Sequence, residues 1–109
     1  MSPTTVLLVD DDPMVRTGLS MVLSADDSIA VIAEAADGAE ALIRARELRP
    51  DVVLMDLQMP RVDGVEATRR IRSELTVPIL MLTTFHLDLH VIDALQAGAS
   101  GYLLKDIAP

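Results

Sequence analysis

Five short apolar runs, each separated from the next by a longer amphipathic stretch, restrict this chain to a small family of folds. The runs are residues 6–9, 29–33, 52–55, 79–82 and 102–104. Most are continuous rather than alternating in polarity, which suits strands buried on both faces of a parallel sheet. Pro50-Asp51 and Val77-Pro78 punctuate the approach to two of them.

The intervening segments have helical spacing. Val15, Leu19, Val22 and Leu23 form one apolar stripe, behind Asp12-Pro13, an N-cap residue followed by proline at the first helical position. Ala41, Leu42, Ala45 and Leu48 form a second stripe after Asp37-Gly38. Ala67, Ile71 and Leu75 form a third, with Arg69, Arg70 and Arg72 directed elsewhere. Leu87, Val91, Ala94 and Leu95 form a fourth that ends near Gly98. Five strands alternating with four helices predict an α/β doubly wound fold around a parallel sheet. Right-handed crossovers leave few topologies for it.

The 109 residues suffice for one domain, residues 1–109, and not for two. Tyr102 and Phe85 are the only aromatic residues, so Val, Ile, Leu, Met and Ala must build the core. Nine basic against seventeen acidic residues give a net charge of -8, which disfavours binding to a phosphate backbone. The absence of cysteine excludes disulfides and thiolate metal sites. No basic residue precedes Arg16, so a signal peptide's charged start is lacking, and no apolar run approaches the roughly 20 residues that span a bilayer. These features predict a soluble, cytoplasmic chain with no membrane partner. Because the sequence stops at Pro109, just after the fifth strand, the expectation is a domain without its closing fifth helix, which self-associates, exchanges an element between protomers or rearranges its last strand to cover the gap.

Polar residues cluster where the strands end. Asp10 and Asp11 follow the first run, Asp56 the third, Thr83 the fourth and Lys105 the fifth. In a parallel sheet these carboxyl ends lie on one side, where open α/β proteins bind their ligands. The second run leads into Glu34 and offers a single carboxylate, as suits a strand at the sheet edge beside the first. Each residue also has a plainer reading. Asp12 fits a helix N-cap, Thr83 can satisfy its hydroxyl locally, and Lys105 can be a solvated charge. One cap needs one carboxylate, however, and Asp10 and Asp11 remain. Carboxylates gathered at one edge repel, so one protonates or a cation sits among them. With oxygen ligands only, that cation is hard, Mg²⁺ before Mn²⁺ or Ca²⁺. His86 and His90 have an i, i+4 spacing that can bind zinc, but no third ligand accompanies them.

Four blocks resemble response regulator receiver domains of two-component signalling: Val-Leu-Leu-Val-Asp10-Asp11-Asp12-Pro13; Val-Val-Leu-Met-Asp56-Leu-Gln58-Met59-Pro60 with Gly64; Leu82-Thr83-Thr84; and Gly98-Ala99-Ser100-Gly101-Tyr102-Leu-Leu-Lys105. They come in family order and spacing along essentially the whole chain. The last block is similar to the subgroup carrying a LuxR-type helix-turn-helix output domain. The resemblance implies a flavodoxin-like sheet of order 2-1-3-4-5 and a phosphoryl group accepted on Asp56 from a sensor histidine kinase. It implies Mg²⁺ bound by Asp11, Asp56 and the Gln58 backbone carbonyl, with Asp10 assisting through water. Thr83 and Lys105 match the groups that bind phosphoryl oxygens, and Tyr102 matches the aromatic switch. It further implies a homodimer on phosphorylation, and DNA reached only through an output domain outside this chain. Asp106 after Lys105 departs from the proline of many receivers and puts a cis peptide there in doubt. Asp12 stands where the subgroup often has His. Gln58 and Phe85 occupy the variable positions that in the family govern hydrolysis of the acyl phosphate.

Two rival readings account for less. Asp10-x-Asp12 mimics the nucleophile and acid of haloacid-dehalogenase-like phosphatases, but Pro13 follows where that motif takes a small or hydroxyl residue. That reading also leaves Asp56-x-x-Met59-Pro60 unexplained. A pseudo-receiver that binds partners without phosphorylation usually lacks an acidic residue or the lysine, and here the set is complete.

Overall fold

A computed structural model describes residues 2–57, 59, 62–83, 93 and 95–104. The elements run β1 (Thr4–Val9), α1 (Pro13–Ser24), β2 (Ile29–Ala35), α2 (Gly38–Leu48), β3 (Val52–Asp56), α3 (Gly64–Glu74), β4 (Ile79–Thr83) and β5 (Gly101–Leu104). All strand pairs are parallel, as the apolar runs predict, and the order is β2-β1-β3-β4-β5, as the resemblance implies. The fourth predicted helix lies almost wholly outside the described residues. Its end is visible: Ala97 N–H donates to the Asp93 carbonyl over 2.9 Å, and Gly98 leaves at φ +117°, a backbone state that favours glycine.

Alternate residues of the central strands divide between two core layers. Leu7, Val9, Val53, Met55, Ile79 and Met81 are fully buried against Ala41 and Ala45 of α2 and Ala67 and Ile71 of α3. Val6, Leu8, Leu54 and Leu82 face the other way, toward Leu19 and Leu23 of α1. Burial on both faces explains why these strands read as unbroken apolar runs. The alanines of α2 and α3 let both helices lie close to the sheet. Truncating Ile71 to Ala should lower stability by about 2–5 kcal/mol, the cost of a large cavity in a closed layer, as a urea titration would measure.

One expectation, the edge position of β2, is met, and two are corrected. β2 has a neighbour on one side only, so its residues are mostly half-buried, and Ile32 is 41% exposed. Ile32 sits at the register shift between Val6↔Val31 and Leu7↔Ala33, the extra residue of a bulge. In α1 no residue is fully buried and Val22, placed on the inner stripe from spacing, is exposed alongside Met14 and Met21. The inner side of α1 rests on Leu19 and Leu23, and Val22 is 61% exposed. Leu48 is likewise exposed, because it belongs to the last turn of α2 and lies beyond the edge of the buried layer.

Local chemistry fixes the helix ends. Asp12, Asp37 and Asp63 each cap a helix, their carboxylates accepting from Met14, Glu40 and Glu66 N–H. Arg46 of α2 and Glu74 of α3 form a two-pronged ion pair on the surface, and its hydrogen bonds hold the Glu74 carboxyl below its usual range. A carboxyl depressed on folding adds stability above its unfolded pKa and loses it as pH falls through the folded one. The stability difference between the parent and Arg46→Ala should therefore be full at pH 6 and shrink below roughly pH 4.3. Both groups are exposed, so the difference is small throughout. Parallel denaturant titrations at pH 6 and pH 3 would check the sign.

Candidate functional site

β1 and β3 lie side by side with Val9 opposite Met55, so the next residue of each strand, Asp10 and Asp56, emerges at the same rung. Asp11 follows on the turn into α1. One carboxylate oxygen from each of Asp10, Asp11 and Asp56 lies within 4.8 Å of the others. Asp10 is 1% and Asp56 7% exposed, whereas Asp11 is open to solvent. Two buried acids and one accessible one thus surround a single point at the carboxyl edge.

Backbone groups hold this arrangement. Asp10 N–H donates to the Ala35 carbonyl of β2 over 3.1 Å, and Asp12 N–H donates to Asp10 Oδ1 over 2.9 Å. Arg16 donates to the Asp10 carbonyl at 2.6 Å and to Glu34 at 3.2 Å. Its charge is therefore committed to the backbone and to β2. Asp12 turns its carboxylate to Met14 N–H at 2.9 Å, the capping role.

The segment after Asp56 is closed by a short bridge, with Gly64 N–H donating to the Leu57 carbonyl over 2.9 Å. A Cβ on Gly64 would overlap the Asp56 carbonyl oxygen and crowd the Met81 methyl at 2.8 Å. Met81 sulfur in turn accepts from the buried Thr68 hydroxyl at 3.4 Å. Gly64 is thus a close-approach residue whose absent side chain lets α3 start directly against the Asp56 backbone.

β4 lies next to β3, with Leu82 opposite Asp56, so Thr83 comes one residue beyond that rung, at the carboxyl end. Of Thr83 only the backbone is described; it pairs with Leu104 of β5. Tyr102, opposite Met81 on β5, is 38% exposed. Gln58, Phe85, His86, His90, Lys105 and the Lys105-Asp106 peptide lie outside the described residues.

Three carboxylates at such range repel by on the order of 3–4 kcal/mol per ionised pair at an effective dielectric near 20. An oxygen-only donor set of this charge suits a hard divalent cation. It does not suit zinc, and no cysteine exists to change that. Sequence reasoning found the three acids through their places at strand ends. It missed Arg16 as their backbone support, since an arginine on a helix gives no sign of which carbonyl it will reach.

The sequence pattern of the response regulator receiver domain family matches residues 6–109. The chain belongs to that family. This receiver domain is 48% identical over 104 residues to the transcriptional regulatory protein LnrK of Bacillus subtilis, covering 94% of the chain and 47% of LnrK. It is 50% identical over 101 residues to the response regulator protein VraR of Staphylococcus aureus, covering 92% of the chain and 48% of VraR. The receiver domain spans about half the length of the curated relatives it matches. Among solved structures, the signal receiver domain of NarL from Mycobacterium tuberculosis superposes with a TM-score of 0.92 at 38% identity, over 99% of this chain and 88% of that one. A LuxR-family two-component response regulator from Aurantimonas gives 0.90 at 42% identity, over 96% and 76%. No helix among the described residues of the receiver domain is long and apolar enough to cross a membrane.

Proposed function

We propose that this receiver domain acts in the cytoplasm and accepts a phosphoryl group on Asp56 from the phosphohistidine of a sensor histidine kinase, with Mg²⁺ held at the acidic edge. The observation that carries the reading is the meeting of Asp10, Asp11 and Asp56 around one point, with Asp56 at the end of a central strand. Asp11, Asp56 and the Gln58 carbonyl would hold the ion, with Asp10 acting through water. When bound, Mg²⁺ supplies positive charge that neutralises the acids and the incoming phosphoryl oxygens.

The transfer needs little covalent work from the protein. An Asp56 carboxylate oxygen attacks phosphorus in line; the new P–O bond forms as the P–N bond to the histidine ring breaks. The electron pair of that bond returns to the imidazole, which takes up a proton. Lys105 and Thr83 bind the equatorial oxygens of the resulting acyl phosphate. Movement of Thr83 toward the phosphoryl group vacates space for Tyr102, whose partial exposure on β5 gives it room to change position. The altered surface around β5 then carries the signal. The same reading includes a homodimer on phosphorylation and control of a separate DNA-binding output domain, in keeping with the transcriptional regulators among the relatives.

Incubation with acetyl phosphate and Mg²⁺, followed by electrophoresis in a phosphate-retarding gel, tests the proposal. A slower band that disappears on hydroxylamine treatment is expected. A band that never shifts, at any Mg²⁺ concentration up to tens of millimolar, counts against it.

A further inference from the structure

β1 ends at Val9, so Asp10 sits where the strand's own hydrogen bonding runs out. Its N–H still finds the Ala35 carbonyl of β2. Its own carbonyl takes a donor from outside the sheet, the Arg16 guanidinium at 2.6 Å. That carbonyl belongs to the peptide that links Asp10 to Asp11. A peptide is planar, so holding its oxygen fixes the plane on which Asp11 is carried. One guanidinium contact therefore bears on two of the three acids that meet at the carboxyl edge.

Arg16 is itself held in place. It lies one turn into α1, where its N–H donates to the carbonyl of the capping residue Asp12 at 3.0 Å. Leu19 and Leu23 seat the same helix on the core. Arg16 Nε donates to Glu34 Oε1 of β2 at 3.2 Å, and only 19% of the arginine side chain is exposed. The planar fork thus serves two acceptors at once, Nη1 for the carbonyl and Nε for the carboxylate. The single nitrogen of a lysine cannot reproduce that hold.

We infer that Arg16, anchored by Glu34, is a positioning residue for the Mg²⁺ site, acting through the Asp10–Asp11 peptide. The inference rests on the reading of Asp10, Asp11 and Asp56 as that site. Charge and geometry pull in opposite directions here. A guanidinium repels a cation, and deleting it also releases the Glu34 charge, so charge alone predicts tighter Mg²⁺ binding without Arg16. Geometry predicts weaker binding. The carbonyl of the buried Asp10 loses a charge-assisted bond, and the peptide turns to recover a partner, carrying Asp11 with it. Groups that orient metal ligands commonly change affinity by about 10–100-fold when altered. A loss of that size outweighs the gain from one charge that is already paired and partly screened.

Calorimetric titration of the folded chain with Mg²⁺ tests the inference, on the parent, Arg16→Gln, Arg16→Lys and Arg44→Gln. Arg44→Gln removes one positive charge from an exposed position on α2 and should match the parent. Arg16→Gln is expected to raise the Mg²⁺ dissociation constant about tenfold. In metal-free buffer it should also shift the Asp11 amide resonance. Arg16→Lys keeps the charge and loses the fork, so a smaller weakening is expected. A folded Arg16→Gln protein that binds Mg²⁺ as tightly as the parent, or more tightly, overturns the inference and leaves the three acids as the metal site. Should Arg16→Gln fail to fold, parental affinity in Arg16→Lys overturns it equally. A parent that does not bind Mg²⁺ overturns the metal site itself, and the inference with it.

Discussion

Asp56→Asn is expected to abolish acetyl phosphate-dependent labelling while the domain stays folded. The amide keeps the shape of the carboxylate and the fit at the end of β3, where the residue is 7% exposed. It removes the nucleophilic oxygen, and with it the bond that an acyl phosphate requires. It also removes one of three charges that crowd the same point. Without Mg²⁺ the variant should therefore melt at the same temperature as the parent or higher, since a buried repulsion is relieved. Intact-mass measurement after acetyl phosphate treatment would show the phosphoryl adduct in the parent and not in the variant. An adduct of equal yield in Asp56→Asn, at Asp10, Asp11 or elsewhere, would transfer the assignment to that residue.

Removing Asp11 should have the second largest effect, on the response to Mg²⁺. A cation that binds the folded cluster and not the unfolded chain stabilises by RT ln(1 + [L]/Kd), about 2.7 kcal/mol at a hundred times Kd. Asp11 is the exposed member of the three, the one a hydrated ion meets first. Asp11→Ala should erase most of the stabilisation seen in urea titrations with Mg²⁺, and Lys105→Ala much less. In metal-free buffer, Asp11→Ala should be at least as stable as the parent. A parent whose urea midpoint ignores millimolar Mg²⁺ would refute the metal site outright.

The fold was legible because burial on two faces leaves an unmistakable trace. Val6, Leu7, Leu8 and Val9 all contact core layers, so no polar residue interrupts them. The edge strand and α1 were read less well for the converse reason. A residue with a neighbour on one side only, such as Ile32 or Val22, has the same hydrophobic character as a core residue. The acids were legible from position: parallel strands put their ends on one side, and Asp10 and Asp56 follow adjacent strands in register. The supports of the site were not. Arg16 reads from sequence as one more charge on an amphipathic helix. Its reach to the Asp10 carbonyl is a tertiary fact, set by how α1 settles beside β1 and β2.

The central place of β1 has a consequence for how the chain is born. Its partner on one side is β2, and on the other it waits for β3, as shown by Asp51 N–H bonding the Thr5 hydroxyl across 46 residues. At a ribosomal pace of about 5–20 residues per second, that interval lasts about 2–9 seconds. During it a strand with four consecutive apolar residues has at least one bare edge, the condition under which strands pair with strangers. Three consecutive negative charges, Asp10, Asp11 and Asp12, stand at its end. Charges flanking an apolar strand act as gatekeepers against aggregation. The acids at the finished carboxyl edge thus flank the nascent strand before the rest of that edge exists.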